Sequence, residues 1–331
     1  MSKAPVTSLD SQLDSHVDSQ GAAQSSSTSQ QRLRTVRVGV DFGGTKIEAA
    51  ALDAEGKFLA RVRAPNPGNY DDALRTVCDL VAQVEQQAGA RGTIGIGTPG
   101  SVSPRTGTMR NANSVWLNGR DFPKDMSAAL GREIRLANDA NCLALSEVVD
   151  GAAAGSKVAF AVILGTGCGG GLVVNGQLIE GVHGVGGEWG HIPLPWPTHE
   201  EIDAPPCWCG LRGCLETWVS GTGLQRDYAR VAGHSLDGES IVRAARSGEA
   251  QAQAALERYI DRLGRGLAVI CNIVDPDTIV LGGGMSNVSE LYDRLPYVVR
   301  SRVFSDTWNA RIVPAKWGDS SGVRGAARLW C

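Results

Sequence analysis

Three times in 331 residues a short apolar run ends in a cluster of glycines. Val36 to Val40 runs into Asp41-Phe42-Gly43-Gly44-Thr45-Lys46, and a second apolar run, Ile47 to Leu52, follows at once. Val158 to Leu164 runs into Gly165-Thr166-Gly167-Cys168-Gly169-Gly170-Gly171, followed by Leu172-Val173-Val174. Thr278 to Leu281 ends in Gly282-Gly283-Gly284. β-Branched runs of this length bounded by glycine read as buried strands. The first two clusters therefore sit in strand, glycine turn, strand units, the second a weak echo of the first in pattern only. Helical periodicity lies between them: Asp71 to Ala88 with an acidic first turn, Ala140 to Val149, Gly221 to about Gly233, Glu249 to Asn272, and Ser320 to Leu329. Thr93 to Gly97 and Ile134 to Ala137 read as further short strands. Interleaved strands and helices predict an α/β fold.

A glycine turn lets backbone N–H groups approach an anion closely, or it simply closes a hairpin. Each cluster alone leaves both readings open; three in one chain favour a nucleotide site. No Walker A run is present, and Gly165-Thr166-Gly167 leads into a strand, not the helix that a dinucleotide fingerprint needs. Phosphates would then be held by hairpin turns. Asp41, inside the first turn, is a turn-capping residue or a carboxylate placed for Mg²⁺ beside phosphates. Asp139, in Asn138-Asp139 ahead of a helix, is a helix cap or a general base for a hydroxyl nucleophile.

Of eight cysteines, Cys207, Cys209 and Cys214 form a C-x-C-x4-C cluster, with His191 upstream. Three thiolates and an imidazole make a closed tetrahedral Zn²⁺ set of the structural kind. No secretory signal is evident, so a disulfide framework is not expected.

The net charge of −3, from 32 basic and 35 acidic residues, gives no basic surplus for nucleic acid. No run approaches the ~20 apolar residues that span a bilayer, so a cytoplasmic location is expected. Residues 1–34 are rich in Ser and Gln and are expected to be a disordered tail.

These motifs together resemble the ROK family of sugar kinases and repressors. Val38-Gly39-Val40-Asp41-Phe42-Gly43-Gly44-Thr45-Lys46 is similar to its first phosphate motif and Asn138-Asp139-Ala140-Asn141-Cys142 to its catalytic segment. Gly187-Glu188-Trp189-Gly190-His191 and Cys207-x-Cys209-Gly210-x-x-Gly213-Cys214-x-Glu216 are similar to its signature. Val280-Leu281-Gly282-Gly283-Gly284 resembles its adenosine motif. The resemblance implies an actin/hexokinase-like (ribonuclease H-like) two-domain fold with a central cleft. It implies a smaller domain of residues 35–137 plus 317–331 and a larger one of residues 138–316 with a zinc loop at 187–216. It implies ATP on the stretches Gly39 to Lys46, Gly165 to Leu172 and Gly282 to Gly284, with Mg²⁺. Asp139 would take the proton from a sugar 6-hydroxyl, and Asn113, Asn138, Glu188, His191 and Glu216 would contact sugar hydroxyls. His191 would also ligate zinc.

Asn111-Ala112-Asn113-Ser114-Val115-Trp116-Leu117-Asn118-Gly119, Gly187-Glu188-Trp189-Gly190-His191-Ile192-Pro193-Leu194-Pro195-Trp196 and Gly318-Asp319-Ser320-Ser321-Gly322-Val323-Arg324-Gly325-Ala326-Ala327 resemble the bacterial fructokinase (manno-fructokinase) branch, with Ile192 departing from the Asn expected after the histidine. That resemblance implies fructose, with mannose second, and glucokinase or N-acetylglucosamine kinase as alternatives. A homodimer is the family expectation. A ROK-type repressor would carry a helix-turn-helix module, for which residues 1–34 are too short and too polar.

Overall fold

Alternation decides the first sheet. In β1 (Arg37–Phe42), Val38, Val40 and Phe42 enter one apolar core while Gly39 and Asp41 point to the other face. β1, β2 (Lys46–Leu52) and β3 (Phe58–Pro65) form an antiparallel meander. α1 (Tyr70–Ala88) follows, its start capped by the Asn69 side chain and its end turned by Gly89 in the left-handed region. Val77, Leu80, Val81 and Val84 bury its inner face against β2 and β3. β4 (Thr93–Thr98) lies parallel to β1; a small hairpin, β5 (Ser101–Val102) and β6 (Met109–Arg110), and α2 (Phe122–Leu130) precede β7 (Ile134–Asn138), parallel to β4. The sheet order is β3-β2-β1-β4-β7. α3 (Asp139–Asp150) leaves the end of β7.

The second half repeats the first. β8 (Val158–Leu164), β9 (Cys168–Val174) and β10 (Gln177–Leu178) form another antiparallel meander. An insertion carries α4 (Glu216–Val219), α5 (Gly221–Ala232) and α6 (Gly238–Arg246). Then come α7 (Ala250–Val274), β11 (Thr278–Gly282), α8 (Glu290–Arg300), β12 (Arg311–Pro314) and α9 (Ser321–Ala327). The order is β10-β9-β8-β11-β12, with β11 parallel to β8 and β12. The echo between the two glycine hairpins is thus a repeat of topology, and the α/β expectation holds. This computed structural model describes residues 36–330; the expected tail at 1–34 lies outside them. No helix among the described residues is long and apolar enough to cross a membrane.

One glycine run departs from its sequence reading. Only Gly165-Thr166-Gly167 is turn, because Cys168 already pairs with Leu164 and Gly169 to Gly171 continue the strand. The cause is close packing: a Cβ on Gly171 would sit 2.5 Å from the Ala140 carbonyl oxygen of α3. α9 is held the same way. A Cβ on Gly39 would lie 1.9 Å from the Val323 carbonyl oxygen, and one on Gly325 would lie 1.8 Å from that of Cys142. Strand β1, α9 and α3 can stack this tightly only without side chains there.

A buried carboxylate joins α3 to the segment leading into α9. Glu147 is 0% exposed. It accepts from the backbone N–H groups of Ala152 (2.7 Å), Lys316 (3.0 Å) and Trp317 (3.1 Å) and from the Ser321 hydroxyl (3.0 Å). Glu147→Ala would leave those buried donors unpaired, and the expected loss is about 3 kcal/mol, read by urea denaturation.

Candidate active site

The N-terminus of α3, the second hairpin turn and the inserted segment meet around a cleft of about 540 Å³. All six residues proposed from sequence for a sugar line it: Asn113, Asn138, Asp139, Glu188, His191 and Glu216. Gly165 to Gly169 form the adjoining wall.

Asn138 and Asp139 are both cap and cleft residues. The Asn138 Oδ1 accepts from the Ala140 N–H at 2.9 Å, and its Nδ2 donates to the Gly100 carbonyl at 3.2 Å. Asp139 Oδ1 also accepts from the Ala140 N–H, at 2.8 Å. Burial pushes the Asp139 carboxyl up to about 6, and the nearby Glu188 charge adds to the shift. Burial likewise raises Asp41 to about 7, with the charges of Asp139 and Glu48 adding and Lys46 opposing. Asp41 and Asp139 therefore feel each other across the gap between β1 and α3. The first hairpin turn itself does not line the cleft. Gly44 lies beside Ser114, and the Val40 and Phe42 side chains are in the core, so that stretch has its backbone and the Asp41, Thr45 and Lys46 side chains to offer a ligand.

Glu216 ties two walls together. Its Oε2 accepts from the Cys168 N–H at 2.9 Å, and its Oε1 accepts from Trp208 Nε1–H at 2.7 Å. The His191 ring meets the Trp208 ring edge-on at 5.1 Å. Burial raises the Glu188 carboxyl, while the facing His191 lowers it.

The four expected metal ligands come together. His191 and Cys207, Cys209 and Cys214 place ligand atoms within 4.8 Å of one another. Cys207 Sγ is 3.7 Å from His191 Nδ1, and Cys209 Sγ is 3.6 Å from Cys214 Sγ. A tetrahedron with zinc–sulfur bonds of about 2.3 Å has edges of about 3.8 Å, close to these two distances, so the donor set suits that ion. Burial pushes the Cys214 thiol up to about 12 and raises Cys207 as well. Three thiolates here need a cation to offset them.

The loop carrying these ligands is anchored from beneath. Arg262 and Arg265 of α7 are 3% and 2% exposed, and both grip Glu201, with contacts of 2.7 to 2.9 Å. Burial alone would raise the Glu201 carboxyl; the bonds from Arg265 and Arg262 outweigh it and hold it at about 2. Arg265 also donates to the Pro195 and Trp196 carbonyls.

A second cavity, of about 720 Å³, shares Gly165, Thr166 and Thr222 with the cleft. Gln225, Val242, Arg246, Met285 and Asn287 line it. Of the third glycine cluster only Gly284 faces it. Gly282 is pressed against Leu143, and Gly283 turns at φ +78 against the Leu164 backbone. Sequence reading passed over Ser220 and Thr222 at the start of α5. Thr222 Oγ1 donates to the Thr166 carbonyl at 2.7 Å, and the Gly221 N–H donates to the Gly165 carbonyl at 2.7 Å. The Ser220-Gly221-Thr222-Gly223 run opening an amphipathic helix was the available signal.

Known proteins match this chain along almost its whole length. The model of the ROK family matches residues 37–331. An N-acetyl-D-glucosamine kinase of Pectobacterium atrosepticum is 41% identical over 296 residues, covering 88% of this chain and 97% of that protein. One from Shigella boydii is 41% identical over 302 residues, covering 88% and 98%. Among solved structures, a ROK hexokinase from Thermus thermophilus superposes with a TM-score of 0.78 at 33% identity, covering 88% of this chain and 97% of that one. A ROK family glucokinase from Streptomyces griseus, solved with glucose and AMPPNP, gives 0.74 at 29% identity, covering 89% and 98%.

Proposed function

The chain belongs to the ROK family, and on that premise we propose that it transfers the γ-phosphoryl group of ATP to the 6-hydroxyl of a hexose, N-acetyl-D-glucosamine in preference to fructose. The observation that carries the reaction is Asp139: a half-buried carboxylate raised to about 6, at the junction of a polar cleft and a glycine turn. The choice of sugar rests on the relatives. Both curated proteins named above are N-acetyl-D-glucosamine kinases. They move the weight from the fructokinase expectation to its alternative.

In this reading the sugar lies in the cleft with its 6-hydroxyl donating to Asp139. As the oxygen attacks the γ-phosphorus, Asp139 accepts its proton and the bond to the β–γ bridging oxygen breaks, releasing ADP, so the nucleophile never carries a full charge. Asn138, held by Gly100, fixes the position of that carboxylate. Asn113, Glu188, His191 and Glu216 bind the remaining hydroxyls. Adenosine occupies the second cavity, and the phosphates cross Gly165-Thr166-Gly167 toward Asp41. The N-terminus of α5 beside that turn favours the polyphosphate charge. Asp41 suits Mg²⁺: its carboxylate is half-buried and has no hydrogen-bond partner among the described residues. When bound, that ion neutralises phosphate charge. His191 and Cys207, Cys209 and Cys214 would hold a structural Zn²⁺, which supplies orientation and no chemistry. Residues 35–137 with 317–331, and residues 138–316, are the two lobes that would close on the sugar.

A coupled ADP-release assay across N-acetylglucosamine, glucose, mannose and fructose tests this reading. The highest kcat/KM is expected on N-acetylglucosamine; a higher value on fructose would restore the fructokinase reading, and no ADP from any of the four would sink the kinase.

A further inference from the structure

The cleft and the second cavity meet at the start of α5. Thr222 lines both, and the residues one turn further on diverge: Gln225 faces the second cavity and Arg226 the cleft. The bond from the Thr222 hydroxyl to the Thr166 carbonyl, 2.7 Å long, fixes this end of α5 beside the glycine turn. Helical side chains lean toward the helix start, so that of Arg226 leans toward Thr222 and the turn.

Among the described residues, Arg226 is the only arginine or lysine that lines the cleft. It is exposed, and it makes no hydrogen bond or ion pair with any of them. The next residue, Asp227, turns into the core to meet Arg258 and Arg262 at 2.7 and 3.1 Å. Glu216, on the same cleft, is taken up by the Cys168 N–H and by Trp208. Water serves the guanidinium while the cleft is open. A sugar and a phosphoryl group filling the cleft expel that water, and the charge then needs an anion.

We infer that Arg226 is a second catalytic residue, a clamp on the phosphoryl group in transfer. The inference rests on the kinase reading of the cleft, in which the phosphates cross Gly165-Thr166-Gly167 from the second cavity. Arg226 stands on the cleft side of that crossing, where the row of phosphates ends. Its N–H groups donate to the non-bridging oxygens of the γ-phosphoryl group. The bond from O6 to phosphorus forms, the bond to the β–γ bridging oxygen breaks, and that electron pair leaves with ADP. The guanidinium offsets the charge spread over the group between them. It gives up no proton, because arginine stays protonated in proteins, and Asp139 remains the base.

Arg226→Gln and Arg226→Lys test the clamp at an exposed position, where neither leaves a cavity. For the wild type and both variants, kcat and the KM values for ATP and sugar are measured with thermal melts alongside. Arg226→Gln should lower kcat about 10²–10³-fold, with the sugar KM within about threefold and the melt unchanged. Arg226→Lys should recover part of that loss, since the charge stays and only the fork is gone. Added guanidinium ion should speed Arg226→Gln several-fold and leave the wild type as it was. A kcat for Arg226→Gln within about threefold of the wild type overturns the clamp. So does a raised ATP KM at unchanged kcat, which makes Arg226 a ground-state contact, or a loss that neither lysine nor guanidinium restores. In those cases an active wild type leaves the kinase reading standing. A wild type that phosphorylates no hexose ends that reading and the clamp with it.

Discussion

Asp139→Asn should lower kcat by about three orders of magnitude, with the sugar KM changed only a few-fold, because general-base assistance contributes about 10²–10⁴. The asparagine keeps the shape and can still accept the Ala140 N–H through its oxygen, so the helix start survives. What disappears is the proton acceptor. The pH profile of the wild type follows from the same carboxyl. The base works ionised, so kcat/KM should fall about tenfold per pH unit below about 6, the value to which burial raises Asp139. Stability runs the other way. The folded state binds this proton more tightly than an unfolded carboxyl near 3.8 does. Ionised Asp139 therefore opposes folding, the penalty growing as pH rises from about 4 and complete above about 6. Asp139→Asn should thus melt at or above the wild-type temperature at pH 7. A variant that loses activity together with several degrees of Tm would assign Asp139 to the scaffold.

Cys209→Ser should remove one zinc ion per chain, raise the sugar KM and lower Tm by on the order of 10 °C. Cys209 is the ligand to change because it is exposed, whereas Cys207 and Cys214 are buried. A serine at an exposed position leaves no cavity and strands no polar group, so a large effect isolates ligation. The rise in KM follows from His191, which shares its imidazole between the thiolate cluster and the cleft. The fall in Tm should stay partial, because Glu201 and the two α7 arginines hold the loop independently. Elemental analysis of the purified wild type decides the matter first: without zinc, the ligand assignment fails.

The hairpins were legible because β-branched runs and glycine carry strong local signals. Val158–Leu164 is a strand with the bounds read from sequence. α1 was legible from its period and its acidic first turn. α8 was not, since Pro296 inside it argues against a helix locally and only packing of Leu291, Leu295 and Val299 overrides it. The glycines carried two meanings that a sequence cannot separate. Gly165 and Gly167 turn the chain beside the cleft, while Gly39, Gly171 and Gly282 are small because another element presses on them. The thiolate cluster was readable since its spacing is local; its partnership with Glu216 through Trp208 was not, being a matter of tertiary geometry.

The packing of α9 has a consequence for how the chain is made. Ala50, Leu52 and Gly39 of the first sheet are covered by Val323 and Ala327, from the last helix described. At about 5–20 residues per second a ribosome needs roughly 10–40 s between Asn138, which ends the first sheet, and Ala327, which covers it. During that interval the nascent N-terminal half has one face closed by α1 and the other open. The half synthesised first is therefore finished last, and a truncation at the C-terminus should expose the first sheet.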